Sequence, residues 1–272
     1  MNYRHAFHAG NPADCMKHAL LVWLLRALQR KPAPVFVLDT HAGVGQYDLR
    51  SGPAERTGEW RAGIARLLHE PPAPLAEYVG LVERLGLYPG SPALARALLR
   101  PGDRMACCEL HPEDHRALHR WAGRDGRVAV HERDGYEALG ALLPPLGLAR
   151  GLVLVDPPYE APGEFGRVAD GLQVAARRWG TGVLAAWYAI KHRSPVTTFL
   201  ETVGLSGIRD VVVAELCWRE PVNPTTLNGC GLLVRNPPWE FEADAPVILE
   251  ALLGRLHAEA GAGVSVRRVT DE

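Results

Sequence analysis

From Val35 onward, short apolar runs of β-forming residues alternate with helical patterns. VFVLD (35–39), Arg104 to Glu109, Val128 to His131, GLVLVD (151–156) and Val183 to Trp187 all read as strands. Helical patterns fall between them at Pro112 to Trp121, Tyr136 to Leu143 and Glu164 to Trp179. Strands separated by helices must run parallel, because the chain crosses back over the sheet between them. The runs are apolar throughout rather than alternating, as expected of strands covered on both faces. Two later runs, Asp210 to Cys217 and Gly231 to Arg235, lie close together and predict an antiparallel hairpin at one edge. The expected fold is α/β, with a mainly parallel, doubly wound sheet.

Ahead of the first strand, Asn11-Pro12 reads as an N-cap followed by proline at the first helical position. The helix it starts should run through Leu28 and end at Lys31-Pro32. Residues 46–90 break the alternation. Helical patterns at Glu59 to His69 and Leu75 to Leu85 flank a proline-rich turn, which predicts a helical insertion between the first two strands of one domain, 1–272. Ser91-Pro92 then opens another helix through Leu99.

In an open parallel sheet, ligands bind beyond the carboxyl ends of the strands. The first strand ends in Asp39-Thr40-His41-Ala42-Gly43-Val44-Gly45, the second in Glu109, the third in Asp134-Gly135, the fourth in Asp156-Pro157-Pro158-Tyr159. Gly43 and Gly45 permit a tight turn and close backbone approach to a ligand. A dinucleotide site would place a third glycine where this chain has Asp48. Glu109 suits a ribose diol, since a carboxylate accepts from both hydroxyls, and dinucleotide enzymes share that feature. Asp134 has two readings: acceptor for an adenine amino group, or N-cap of the next helix.

Asp156-Pro157-Pro158-Tyr159 narrows the chemistry. An aromatic amino nitrogen is a poor nucleophile because its lone pair is delocalised into the ring. The Asp156 carboxylate and the Pro157 carbonyl can take its two hydrogens and aim the lone pair at a methyl donor. Two prolines with fixed φ hold those acceptors in place. Tyr159 offers a ring on which an extruded base can stack. A second loop, Asn236-Pro237-Pro238-Trp239, has the same chemical parts and competes for this role. DPPY is preferred because it stands on the fourth of four acidic strand ends.

Formal net charge is −1, so any nucleic acid must be met by a local basic surface rather than by global charge. Arg177-Arg178-Trp179 and Lys191-His192-Arg193 offer phosphate contacts or a solvated face. The N-terminal Tyr3-Arg4-His5-Ala6-Phe7-His8-Ala9-Gly10 mixes rings and cations suited to stacking and phosphate contact. The five cysteines form no C-x-x-C pair, so no metal is expected, and they read as small buried residues of a reducing compartment. The start of the chain is too polar for a signal peptide and no apolar run approaches a bilayer span, so a cytoplasmic protein with no membrane partner is expected.

The stretches YRHAFHAGNPAD-C-MKH, LDTHAGVGQYDL, AERTGEW, YPGSPALARALLR, ELHPEDH, RDGYEAL, GLVLVDPPYE and NPPW, spread from residue 3 to residue 239, resemble the bacterial 23S rRNA adenine-N6 methyltransferases of the J type. The resemblance implies a Rossmann-like methyltransferase domain that uses S-adenosylmethionine and acts on 23S rRNA; a monomer is expected. It implies that Phe7 to Gly10, His18, His41, Ser91, Glu109, Asp134, Gly135 and Asp156 build the cofactor pocket, to which the tight turn at Gly43 adds its backbone. Asp156, with Pro157 and Tyr159, would carry catalysis, and Tyr3 and His5 would contact RNA. WYAIKHRSP (187–195), where the family continues WYP, and PVNPTTLNGCG (221–231) depart from the pattern beside the expected RNA groove. A DNA adenine methyltransferase and a non-catalytic RNA-binding assembly factor are the competing readings.

Overall fold

The computed structural model describes residues 4–272. An eight-stranded sheet is flanked by helices on both faces. Helix α1 (Pro12–Gln29) precedes strand β1 (Phe36–Asp39). The Asn11 side chain accepts from the Asp14 amide at 2.9 Å and Pro12 takes the first helical position. This is the predicted cap.

The parallel part of the sheet consists of β1, β4 (Arg104–Cys108), β5 (Val128–His131), β6 (Gly151–Val155) and β7 (Val183–Ile190). After β1 the chain builds β4 and β5 on one side and then returns to place β6 on the other. The reversal opens a crevice between the carboxyl ends of β1 and β6, where doubly wound folds bind ligands. Strands β8 (Val211–Cys217) and β9 (Gly229–Arg235) pair antiparallel, as expected. They do not form the edge, however. Strand β9 lies against β7, and β10 (Gly263–Thr270), which sequence reading missed, runs antiparallel outside β8. Its residues are mostly half-buried, so it lacks the apolar run that marks the interior strands.

Successive residues of each strand enter opposite cores. Val37, Leu152 and Leu154 pack with α1, α4 (Ser91–Leu98) and α9 (Phe241–Leu253). Leu38, Val153 and Val155 pack with α6 (Gly135–Ala141), α7 (Glu164–Arg178) and α8 (Arg193–Leu205). At about 25 cal/mol per Å² of buried apolar surface, these two layers supply most of the favourable folding energy. Helices α8 and α9 were not anticipated. Helix α8 starts at Arg193 within the basic Lys191-His192-Arg193 run, and α9 carries Pro246 inside it.

Between β1 and β4 lies the irregular stretch expected over 46–90. Its ends are clipped by a two-stranded antiparallel pair, β2 (Gln46–Tyr47) with β3 (Tyr88–Pro89). Inside it are α2 (Gly52–Thr57), α3 (Ala76–Leu85) and three single 3-10 turns. The helix expected over Glu59 to His69 is two of those turns, broken at Gly63. A Cβ on Gly63 would sit 2.1 Å from the Gly10 carbonyl, so the backbone there packs directly on the entry to α1. Among the described residues no helix is long and apolar enough to cross a membrane, and no group of three or more His, Cys, Asp or Glu could hold a metal ion. All five cysteines are buried and free.

Candidate active site

A cleft of about 810 Å³ opens at the carboxyl ends of the parallel strands. It collects His5, His18, His41, Gly43, Ser91, Glu109, Asp134, Gly135, Asp156, Pro157 and Tyr159 in one lining. Of the segment Phe7 to Gly10 only His8 joins this lining, Gly45 does not, and Tyr3 lies outside the described residues.

Helix α1 brings a cation to the acidic strand end. The ammonium of Lys17 lies 2.6 Å from Asp156 Oδ2 and 3.0 Å from Asp14 Oδ1. Lys17 is only 4% exposed and Asp14 2%. Burial opposes the charge on Lys17, but the two carboxylates raise its pKa well above that of an ordinary lysine, so it is ionised. Burial likewise opposes ionisation of Asp14, and His5 and Lys17 hold its carboxyl well below the usual range. His5 Nε2 is 3.0 Å from Asp14 Oδ2, and the Gly10 amide donates to the same oxygen at 2.9 Å. His8 and Asn11 both reach Glu59 in the insertion. The N-terminal segment is thus tied to α1 and to the insertion by charge. Sequence reading gave Lys17 and Asp14 no role. The signal was their spacing of three on a helix immediately after an N-cap, which puts both on one face.

The strand ends are pre-shaped by backbone contacts. Glu109 accepts from the Gly43 amide at 2.9 Å and the His111 amide at 2.8 Å, which leaves lone pairs on both oxygens facing the cleft. Burial nevertheless raises its pKa. Asp134 does cap α6, accepting from the Tyr136 amide at 2.7 Å. Its second oxygen pairs with Arg167 at 3.1 Å at the cleft rim. Both sequence readings of Asp134 remain compatible with this geometry. Gly135 is required: a Cβ there would stand 2.3 Å from the Thr40 carbonyl and 2.9 Å from His41 Cε1. The start of α6 can meet the β1 loop only without a side chain. Gly43 has φ of +62° and a Cβ would fall 2.3 Å from the Tyr47 hydroxyl, so its turn also needs glycine.

Ser91 does not cap α4; Gly90 occupies that position. The Ser91 hydroxyl instead donates to Asp39 Oδ2 at 2.7 Å. Burial first, then the charge of Asp156, pushes the Asp39 carboxyl up to about 7 despite that bond. His18 is fully buried. Its Nδ1 meets the Tyr88 hydroxyl at 2.9 Å, while Nε2 is buried without a partner in a residue that borders the cleft. Burial pushes its imidazole down to about 3, and that of His41 down to about 4.

These shifts predict a pH dependence of stability. The folded pKa of His18 lies below the unfolded value of ~6.5, so its contribution is complete above ~6.5 and drains as pH falls toward about 3. Asp39 acts in the opposite sense: its contribution is complete below ~3.9 and is lost as pH rises through about 7. Each group moves stability by at most about 1.4 kcal/mol per pH unit inside its window. Thermal melts between pH 4.5 and 7.5 are expected to show a shallower acid loss in His18→Gln. Asp39→Asn should be stabilised relative to the parent near pH 7.5. Parallel curves for all three proteins would refute both assignments.

Tyr159 has φ of +52°, in the left-handed region that non-glycine residues seldom occupy. Its hydroxyl donates to the Trp187 carbonyl at 3.1 Å, and its ring lies 4.9 Å from Phe165 and 5.7 Å from Trp187. Strain of about 1–3 kcal/mol at such a residue persists only when the surroundings fix it, and these three contacts do so at the tip of the DPPY loop.

The competing NPPW loop is at the other end of the sheet. Strand β9 is antiparallel to β7, and Arg235 pairs with Leu184 near the start of β7. Asn236 donates to the Gly180 and Gly182 carbonyls at 2.9 and 3.0 Å. Strand direction therefore removes NPPW from the cleft. Arg177 and Arg178 end α7 at that same far end, and Trp179 is buried, whereas Lys191 lines the cleft.

The chain matches the profile of a family described as "Ribosomal RNA large subunit methyltransferase D, RlmJ" over residues 32–269. It is 38% identical over 271 residues to the Ribosomal RNA large subunit methyltransferase J of Escherichia coli (strain K12), covering 97% of this chain and 96% of that protein. It is 36% identical to the protein of the same name from Haemophilus influenzae, over the full length of both. A crystal structure of a Legionella pneumophila protein superposes with a TM-score of 0.87 at 32% identity, covering 96% of this chain and 98% of that one.

Proposed function

Because the chain belongs to this family of ribosomal RNA large subunit methyltransferases, we propose that it transfers a methyl group from S-adenosylmethionine to the N6 amino group of an adenine in 23S rRNA. The observation that carries the proposal is the DPPY loop at the carboxyl end of β6. Asp156 lies 2.6 Å from a buried ammonium, beside the Glu109, Asp134 and Ser91 strand-end groups.

The lining fits the cofactor. Glu109 would hold the ribose hydroxyls on its free lone pairs, and Asp134 and Gly135 would border the adenine. His18 Nε2, buried and without a partner, would take a polar group of the methionine part, near Ser91 and the His41 loop. The cofactor supplies an electrophilic methyl on a sulfonium.

The chain's own groups do the positioning. The Asp156 carboxylate and the Pro157 carbonyl accept hydrogen bonds from the two N–H groups of the target amino group, which orients its lone pair outward; once it carries the methyl group, the nitrogen gives up one of those protons to solvent. Lys17 is a positioning residue: its ammonium, 2.6 Å from Oδ2, fixes the Asp156 carboxylate in place. Tyr159, held in its strained conformation, presents a ring to the target base. Preorganised acceptors of this kind avoid reorganisation during transfer. His5, and Tyr3 beside it in sequence, would meet the RNA. Residues 1–272 would act as one catalytic domain carrying the 46–90 insertion, as a monomer in the cytoplasm.

The test is transfer of labelled methyl to protein-free 23S rRNA, followed by digestion to nucleosides and mass spectrometry. N6-methyladenosine is the expected product. Methylated duplex DNA with unmodified rRNA would replace the proposal with a DNA enzyme. Cofactor binding with no product on either would replace it with an assembly factor.

A further inference from the structure

Strand β7 points alternate residues into the cleft. Trp187 and Ala189, with Lys191 one residue past the strand's end, line it, while Tyr188 and Ile190 enter the opposite core. Trp187 borders the reacting centre: its carbonyl holds the Tyr159 hydroxyl and its ring lies 6.0 Å from the Lys17 ammonium. Lys191 is four residues further on, so the row spans ~13 Å at ~3.3 Å per residue. It leads from the methyl-transfer centre to the cleft mouth.

The rest of the lining is short of available positive charge. Lys17 is bound by two carboxylates, and Arg167 pairs with Asp134 and approaches Glu164 at 3.6 Å. Asp114, Glu59 and Glu160 add negative charge. Lys191 is exposed. Among the described residues it is the lysine or arginine of the lining for which no carboxylate lies within ion-pair distance.

The backbone under Lys191 is built, not loose. The buried Asn228 side chain donates to the Lys191 carbonyl at 2.6 Å and to the Asn223 carbonyl at 3.0 Å. The Asn228 amide donates to the Ile190 carbonyl at 2.9 Å. Asn223 in turn accepts from the Thr225 amide and hydroxyl at 3.0 and 2.8 Å. Thr225 and Thr226 therefore stand on the same wall as Lys191, at fixed positions.

We infer that Lys191, with the Thr225–Thr226 turn, is the phosphate seat of the substrate: it binds the RNA backbone phosphate next to the target adenosine. The inference rests on the proposed rRNA reaction. An extruded nucleotide enters base first, so its phosphate stays at the mouth while its amino group reaches Asp156. An acid-lined cleft repels that phosphate unless a cation stands in its lining, and Lys191 is exposed there, four residues beyond Trp187. Such a contact positions the substrate and reads no base.

Lys191→Ala, Lys191→Glu and Lys191→Arg test it, measured with the full chain and protein-free 23S rRNA. In Lys191→Ala the KM for RNA should rise several-fold with kcat and cofactor affinity little changed. The slope of log affinity against log salt should shrink by about 0.7, the value of one phosphate contact on a single strand. Lys191→Glu should be worse and Lys191→Arg should restore both readouts. An unchanged KM and salt slope in Lys191→Ala, with wild type active on RNA, overturns the phosphate seat alone. A wild type that neither binds nor methylates RNA overturns the reaction and the seat together.

Discussion

Asp156→Ala is expected to lower the rate of methyl transfer by at least about 10³-fold while leaving cofactor affinity within a few-fold of the parent. Removing one preorganised polar group that acts on the reacting atoms costs roughly 10²–10³ in rate in comparable sites. Here the loss is larger because one carboxylate has two tasks. It accepts a hydrogen from the amino group, and it balances half of the charge of Lys17, whose ammonium lies 2.6 Å away. Asp156→Asn separates the tasks. The amide keeps the volume and one acceptor, but it carries no charge and turns a donor either toward the ammonium or toward the amino group. It should therefore remain inactive to within about tenfold of the alanine variant. Single-turnover transfer on rRNA, with cofactor affinity measured by calorimetry, distinguishes chemistry from binding. An asparagine variant with near-parent turnover would remove Asp156 from the chemistry and leave the DPPY loop a structural turn.

Much of this was readable in the chain before folding. The parallel core of the sheet follows from continuous apolar runs, because β-strands buried on both faces leave no room for polar alternation. The acidic strand ends were readable for the same reason: a carboxylate directly after such a run has to leave the core at its carboxyl end. Three other features were hidden. Strand β10 is half-buried at an edge, where neither periodicity nor apolarity is enforced. The 59–69 segment has helical composition, but the close approach of Gly63 to the Gly10 carbonyl imposes broken turns, and such a tertiary contact has no local trace. The choice between DPPY and NPPW depended on strand direction, which composition does not encode; the pairing of β9 with β7 decides it. Ser91 illustrates the same limit at one residue. Its sequence context is that of a cap, yet its hydroxyl is taken by Asp39, 52 positions away.

Lys17 is where the fold and the chemistry are most tightly joined, and its replacement should damage both. In Lys17→Met the volume is kept and the charge removed. Asp14, 2% exposed, and Asp156 are then left facing a buried space without their shared cation. Breaking a buried pair by removing one partner typically costs 3–5 kcal/mol, about the scale expected here. For a chain of this size that corresponds to a melting temperature lowered on the order of ten degrees. Adding Asp14→Asn removes one of the stranded charges, so the double variant should be more stable than the sum of the single effects, by about 0.5–3 kcal/mol. Activity offers an independent readout. Without the ammonium, which lies 2.6 Å from Asp156 Oδ2 in the parent, nothing on α1 holds that carboxylate against the target amino group. Single-turnover transfer by the folded Lys17→Met protein, at saturating cofactor and RNA, should therefore fall by about 10²-fold. A merely structural lysine would lower stability without slowing transfer by the folded protein. A variant that melts with the parent and transfers methyl at the parent rate would show that the Asp156 carboxylate needs no cation from α1.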